Sequence, residues 1–301
     1  MPICTLHLVS LIPTATIPDF LDALRSSTLQ PIAVAKVIRW IITPTILSVN
    51  ELLHPPSTWH LFLLLPSDPR LLPQNLEILL SAHWSIKAGI PRRLLQDFPS
   101  KNYGILHPAP NTTPPLTGAL SSPLLAGSSQ SLELSPGLQT WITGPATSEL
   151  THHNSTAISM LNLLLFHPGR TAKESYLQYG TAFAQSIGSK RGGLAKIVGS
   201  VIPHPTFPNN NNTRNEGAGP ATWDEIALAH YPSIQHFGDM IASADYQEVN
   251  QRYRVGSLRD TAILCLSEGA VEGMWERKRA GGGGKGEGPM GMEDRGAKSK
   301  L

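Results

Sequence analysis

Apolar residues in the second half of the chain recur in strand-like and helix-like patterns. Residues 160–166 (MLNLLLF) form an apolar run that stops at a Pro-Gly pair, which favours a strand buried on both faces. Thr171 and Glu174 then have the spacing of a capping box, and aromatic residues follow at helical spacing, so a helix is predicted there. The remaining predicted elements are strands at 194–202 and 223–231, helices opened by Ser233 and Asp245, and a strand at 262–266. This β-α-β-β-α-β order is the ferredoxin-like arrangement.

The N-terminal part of the chain repeats this order less clearly. Trp59 begins a predicted strand as Trp223 does, and each strand ends at a Pro-Ser pair before a helical segment, which supports an internal repeat. The predicted elements are strands at 3–11, 37–43, 59–65 and 84–88 and helices at 18–26 and 76–82. The sequence therefore predicts the α+β class, with two tandem ferredoxin-like β-α-β-β-α-β halves.

Composition shifts along the chain predict four segments: residues 1–99, 100–156, 157–270 and 271–301. The first and third are the two halves. The second is rich in Pro, Ser, Thr and Gly, carries one predicted helix at 136–142, and is predicted to be a linker or a lid. The fourth is dominated by Gly and Lys and is predicted to be a disordered tail, and an asparagine-rich insertion at 203–220 is predicted to be an expanded hairpin loop.

The overall composition is that of a globular protein, with 41% apolar residues and a formal net charge of +2. Residues 276–301 carry seven basic and four acidic side chains, so the remainder has a net charge of −1 and neither nucleic acid nor an anionic membrane is expected as a partner. No apolar run reaches the roughly eighteen residues of a membrane-spanning helix. Cys4 and Cys265 lie in predicted strands and are expected to be buried free thiols, which fits a cytoplasmic location.

Five stretches of the second half resemble an uncharacterised family of the dimeric α+β-barrel superfamily, over about residues 157–268. These stretches are MLNLLLF at 160–166, Tyr176-x-x-Tyr-Gly180, Trp223-Asp-Glu225, Tyr231-Pro-Ser233 and Asp245-Tyr246. The resemblance implies that each sheet packs helices on one face and a second sheet on the other, so that two sheets enclose a cavity. Relatives use two chains, whereas here the N-terminal half is expected to supply the second sheet as an intrachain pseudo-dimeric α+β barrel, either as a monomer or as a homodimer. The superfamily includes cofactor-free monooxygenases, isomerases and haem-degrading enzymes, so the fold alone selects no chemistry.

Polar residues inside buried strands are the candidates for chemistry, because an unsatisfied buried polar group costs roughly 1–3 kcal/mol. Asn162 shares a strand face with Leu164 and Phe166, opposite the face that carries the leucines at 161, 163 and 165. If the leucines cover the helices, Asn162 faces the barrel interior. His7 is expected to be the matching residue of the other sheet, and the structural alternative for both is a side chain that only satisfies backbone groups.

His83 and His230 complete the candidate catalytic residues, because an imidazole can carry a proton near neutral pH. Arg39 is a candidate for holding an anionic substrate oxygen. The candidate substrate-binding aromatic residues are Trp40, Trp84, Phe166, Tyr176 and Tyr179. The sequence contains no Gly-x-Ser-x-Gly, His-Glu-x-x-His, Cys-x-x-Cys or dinucleotide fingerprint, so neither a cofactor nor a metal is expected.

Two functions are open at this point. One is the binding of a small, largely apolar or aromatic molecule in the barrel, with cofactor-free oxygenation, isomerisation or proton transfer as its chemistry. The other is a non-catalytic module for oligomerisation or protein interaction. A barrel interior completely filled by side chains would exclude the first of these functions.

Overall fold

The computed structural model of the chain describes residues 1–53, 58–66, 72–144, 150, 156–203 and 222–281, with side chains up to residue 274. Apart from Pro203, the asparagine-rich insertion predicted at 203–220 lies outside these residues, as does the tail from residue 282 onward. Within the described residues the protein is a mixed α+β fold.

The first half follows the predicted order of strands, with one additional short helix and one correction. Its elements are β1 (Ile3–Leu11), α1 (Ile17–Arg25), β2 (Ala33–Ile42), α2 (Val49–Leu53), β3 (Leu61–Pro66), α3 (Gln74–Glu77) and β4 (Leu80–Gly89). The Thr16 side chain and the Asp19 side chain cap α1 reciprocally, which fixes where that helix begins. The helix predicted at 76–82 is wrong beyond Glu77, because residues from Leu80 onward pair with β1 and extend the sheet.

The segment between the halves is folded against them over much of its length. Helix α4 (Arg92–Leu95) lies at the end of the first half, α5 (Phe98–Leu106) runs into the segment, and α6 (Pro136–Thr143) lies within it. The helix predicted at 136–142 is confirmed, and the Ser135 hydroxyl caps it by accepting from the Leu138 amide. Leu138 and Ile142 are buried, so this part of the segment packs as core.

The second half contains every predicted element, although the helix predicted to open at Asp245 begins at Ala244 with Ser243 as its N-cap. These are β5 (Ile158–Phe166), α7 (Arg170–Ala182), β6 (Leu194–Val201), β7 (Glu225–Tyr231), α8 (Ile234–Ile241), α9 (Ala244–Val249) and β8 (Leu258–Ser267). The predicted capping box at Thr171 and Glu174 is wrong, because Gly169 is the N-cap and Glu174 instead accepts a 2.7 Å hydrogen bond from the Arg170 Nε. Helix α7 continues into a π-helical segment, Phe183–Ile187.

A final helix, α10 (Glu268–Gly281), runs into the segment predicted to be a disordered tail. Val271 is fully buried against the helix layer of the first half, and Met274 packs beside it. This apolar contact stabilises the start of α10, whereas the pattern of the sequence suggested only a polar, Gly-rich end.

The strands of the described residues form one antiparallel sheet in the order β1-β3-β2-β8-β5-β7-β6-β4, which closes on itself. Within each half the order is the same: β4-β1-β3-β2 in the first and β8-β5-β7-β6 in the second. Strands β2 and β8 join the halves on one side, for example through Lys36 opposite Ser267. Two residue pairs between β4 and β6, Ala88 with Val201 and Gly89 with Ser200, close the other side.

Most of the enclosed face of the sheet is formed by buried apolar side chains. All eight described strands contribute to one cluster of buried side chains, which includes Leu6, Leu64, Leu161 and Leu264. The opposite face of the first half packs against α1, and that of the second half packs against α7 and α8. The leucines at 161, 163 and 165 therefore fill the interior.

Candidate functional site

The prediction that Asn162 and His7 face the interior of the closed sheet is wrong. Alternate residues of a strand point to opposite faces, and the leucines of β5 belong to the interior cluster, so Asn162 points outward toward α7. His7 likewise lies on the helix-facing side of β1, because its neighbours Leu6 and Leu8 are interior residues. The candidate site must therefore be sought between the sheet and the helices.

A cavity of about 590 Å³ lies in that position, between α7 and strands β5, β7 and β6 of the second half. Small-molecule sites in proteins commonly have volumes of roughly 300–1,000 Å³. Met1, Gly89 and Arg93 of the first half border it, where β4 meets β6. Among the predicted site residues, Asn162, Tyr176 and Tyr179 line its walls.

Small side chains on the sheet explain why there is space under α7. Ala227 and Ala229 of β7 and Ala195 of β6 line the floor of the cavity. Asn162 lies between Ala227 and Ile263 in the sheet register. Its Nδ2 donates a 3.0 Å hydrogen bond to the Met160 carbonyl, which orients the amide along the strand.

Aromatic side chains form the opposite wall. Tyr176, Tyr179 and Phe183 follow one another at helical spacing along α7 and its π-helical extension, and all three line the cavity. Phe183 contacts Tyr231 edge-on, with the ring centroids 6.2 Å apart. Burial raises the pKa of Tyr176 and of Tyr179, so both hydroxyls stay protonated at neutral pH and can donate hydrogen bonds.

One carboxylate, that of Glu225, lines the cavity within the described residues, and it is paired. The Nζ of Lys173 forms an ion pair with Glu225 and also lies 4.5 Å from the centroid of the Phe166 ring. Phe166 in turn packs edge-on against Tyr176, with the centroids 5.1 Å apart. Phe166 therefore supports the wall residue Tyr176 from outside the cavity.

His7 and His83 form a pair in the first half, away from the cavity walls. The His7 Nδ1 lies 2.8 Å from the His83 Nε2, and the two rings are stacked. Burial, with a smaller contribution from His83, lowers the pKa of His7 to about 3, and burial also lowers the pKa of His83. Both imidazoles are therefore neutral near pH 7. His7 is fully buried on the helix-facing side of the first half of the sheet, whereas His83 is half-buried.

His230 lies on the interior face of β7, opposite Ser159 of β5. It neighbours a buried polar network that the sequence analysis missed. The Lys196 Nζ donates to Glu268 and to the Asn102 side chain, and the Ser159 hydroxyl donates to Glu268 at 2.8 Å. Burial lowers the pKa of His230 to about 4, and the Lys196 charge acts in the same direction. A lysine within a strand was the signal in the sequence that could have indicated this network.

The remaining candidates, Arg39, Trp40 and Trp84, do not line the cavity. The Arg39 guanidinium lies 4.7 Å over the Trp141 ring, and its Nε donates to the Trp40 carbonyl. Trp40 and Trp84 pack against the interior cluster. The predicted site residues are thus divided among several parts of the fold, and the cavity brings together only the asparagine and the two tyrosines.

Neither a metal-binding cluster nor a membrane-spanning helix occurs within the described residues. In that part of the chain, no group of three or more His, Cys, Asp or Glu side chains is placed to hold a metal ion. None of the helices described has the length and apolar character needed to cross a membrane. Cys4 and Cys265 are buried free thiols, as predicted.

No family model and no curated protein matches the chain. One similar solved structure is of a protein of unknown function from Rhodopseudomonas palustris, with 23% identity, 40% coverage of this chain, 88% coverage of that chain and a TM-score of 0.28. The methylated form of that protein is 24% identical, with coverages of 40% and 86% and a TM-score of 0.27. TM-scores this low support no conclusion about this chain.

Proposed function

We propose that the protein binds a small, largely apolar or aromatic molecule in the cavity between α7 and the sheet. The observation that carries this proposal is a cavity of about 590 Å³ walled mostly by apolar and aromatic side chains, with a few polar groups among them. Such a distribution is typical of small-molecule sites, where apolar walls supply affinity and a few polar groups orient the ligand. Asn162 on the floor and Tyr176 on the opposite wall are the orienting groups.

We also propose that the two halves are tandem ferredoxin-like units forming an intrachain pseudo-dimeric barrel. The identical strand order in the two halves supports this, as does the pairing of β2 with β8 and of β4 with β6 at the two junctions. The ligand site then belongs to one unit, on its helix-facing side. The packed interior cluster supports the same placement, because it leaves the helix-facing side as the location for a ligand.

Cofactor-free oxygenation, isomerisation or proton transfer is the class of chemistry proposed for this cavity, and its acid would be a tyrosine. Tyr176 and Tyr179 keep their protons near neutral pH, and the candidate histidines lie in other parts of the fold. A neutral tyrosine hydroxyl can donate to a ligand oxygen and stabilise charge that develops there. Binding is the part of the proposal with the stronger support, because it needs only the cavity.

Titration calorimetry with naphthalene-2-carboxamide tests the binding proposal. This probe is neutral and aromatic, and its amide can pair with Asn162. We expect saturable binding with one site per chain. The absence of binding by this probe and by a panel of neutral bicyclic aromatic compounds up to their solubility limits would reject the proposed function.

A further inference from the structure

Two charged side chains line the cavity within the described residues, and their surroundings differ. Glu225 lies on the sheet and is ion-paired with Lys173. Arg93 lies on α4 of the first half and forms no ion pair or side-chain hydrogen bond with the residues that the structure describes. Arg93 is exposed, so its guanidinium is open to solvent. A positive charge is therefore available at the edge of a cavity in which the Glu225 carboxylate is already neutralised.

The backbone fixes Arg93 at the place where the sheet closes. Gly89, the last residue of β4, lies opposite Ser200 of β6, and both residues line the cavity. The Pro91 carbonyl then accepts a 2.9 Å hydrogen bond from the Leu94 amide, which forms the turn of α4, and α4 packs against β6. Arg93 and Leu94 both line the cavity, so a cationic and an apolar side chain of α4 meet at this edge.

Polar and apolar groups of the cavity are separated along strands β6 and β7. The cross-strand pairs that line the cavity are Ala195 with Ala229, Val198 with Ala227, and Ser200 with Glu225. The first two pairs are apolar, whereas the third is polar and lies at the end where Ser200 pairs with Gly89 of the first half. Arg93 belongs to the same end, because α4 begins two residues after the end of β4. A ligand in this cavity thus has apolar surroundings along its body and polar groups at the end nearest the first half.

We propose that the ligand of this cavity is an apolar or aromatic monocarboxylate, whose carboxylate pairs with Arg93 at the polar end while its body lies beneath α7. This inference rests on the proposed binding function. An arginine guanidinium presents parallel N–H donors that match the two oxygens of a carboxylate. Because Lys173 is already paired with Glu225, Arg93 is left to neutralise one negative charge, which favours a monoanion over a phosphate. The Ser200 hydroxyl can donate a further hydrogen bond to the carboxylate.

A matched pair of probes tests this assignment. Naphthalene-2-carboxylate and naphthalene-2-carboxamide have nearly the same shape and differ in charge. We expect the wild-type protein to bind the carboxylate at least about fivefold more tightly than the amide in titration calorimetry at pH 7.5 and low salt. The preference should decrease in about 0.5 M sodium chloride, because salt screens an ion pair that is open to solvent. In Arg93→Met the two affinities become equal, and in Arg93→Glu the amide binds more tightly than the carboxylate.

Arg92→Met is the matched control, because Arg92 precedes Arg93 in α4 and is also exposed but does not line the cavity. It should keep the preference of the wild type, and thermal unfolding should show that all three variants are folded. If the wild type binds both probes equally, or if Arg92→Met reduces the preference as much as Arg93→Met does, the inference is overturned while the proposed function stands. If neither probe binds, the proposed function fails and the inference fails with it.

Discussion

His7 and Asn162 occupy equivalent positions in the two halves of the protein. Each is the fifth residue of the first strand of its half, and each faces the helices. Their neighbours in the sheet differ, because Leu63 lies opposite His7 whereas Ala227 lies opposite Asn162. The larger side chains of the first half fill the layer beneath α1, and the smaller ones of the second half leave the cavity beneath α7. The cavity therefore lies in the second half, and the corresponding layer of the first half is filled.

Truncation of a leucine in the closed interior is expected to destabilise the fold without affecting the ligand site. Leu163→Ala removes a fully buried side chain from the interior cluster, so the free energy of unfolding should fall by about 2–5 kcal/mol. Urea denaturation measures this loss, and calorimetry with naphthalene-2-carboxamide should give the affinity of the wild type. A loss of binding without a loss of stability would indicate that the probe binds in the closed interior of the sheet, which would contradict the proposed site.

The free energy of unfolding is expected to depend strongly on both members of the buried pair Lys196 and Glu268. Lys196→Met leaves the Glu268 carboxylate buried without its cation, which should cost about 3–5 kcal/mol of unfolding free energy. Adding Glu268→Gln removes the stranded charge, so the double variant should be more stable than the single variant. Urea denaturation of the two variants checks this. Equal stability of wild type and Lys196→Met would contradict the role assigned to the network.

Acid should destabilise the protein through His7 before the carboxylates titrate. The pKa of His7 is lowered to about 3 in the folded state from 6.5 in the unfolded chain, so between these values the unfolded state binds more protons. The stability linked to His7 is fully present above pH 6.5 and is lost as the pH falls toward 3, reaching a loss of about 2 kcal/mol at pH 5. His230, with a pKa of about 4, acts in the same direction.

His7→Gln isolates this effect, and His167→Gln is its control because His167 is exposed. Urea denaturation at pH 8 and pH 5 should show a smaller difference for His7→Gln than for wild type. The difference for His167→Gln should match the wild type. If His7→Gln keeps the full pH dependence, His7 is not buried in its neutral form.

The sequence was sufficient to predict the elements of the second half but not the side of the sheet that carries the site. Residues 160–166 are apolar on both faces, so alternation showed that Asn162 lies opposite the leucines but not which face is enclosed. The position of the cavity depends on the size of residues that are distant in sequence, such as Ala227 and Ala229. These residues come to lie beside β5 only through strand pairing.

Arg254 illustrates a second limit of sequence analysis. An arginine near the end of a helical stretch usually extends into solvent, and no local pattern separates it from the exposed Arg252. Its burial depends on a π-helical turn, Asn250–Arg254, that packs against α7. The histidines were predicted as site residues by type alone, and their separation into different layers of the fold could be seen only in three dimensions.

Filling the cavity is the most direct measurement of the central claim. Ala227→Leu places a large side chain on the cavity floor, and Ala182→Leu makes the same substitution on α7 outside the cavity walls. Titration calorimetry with naphthalene-2-carboxamide should show wild-type affinity for Ala182→Leu and a loss of at least about tenfold for Ala227→Leu. Equal affinities for the wild type and both variants would mean that the probe binds elsewhere and that the cavity is not the site.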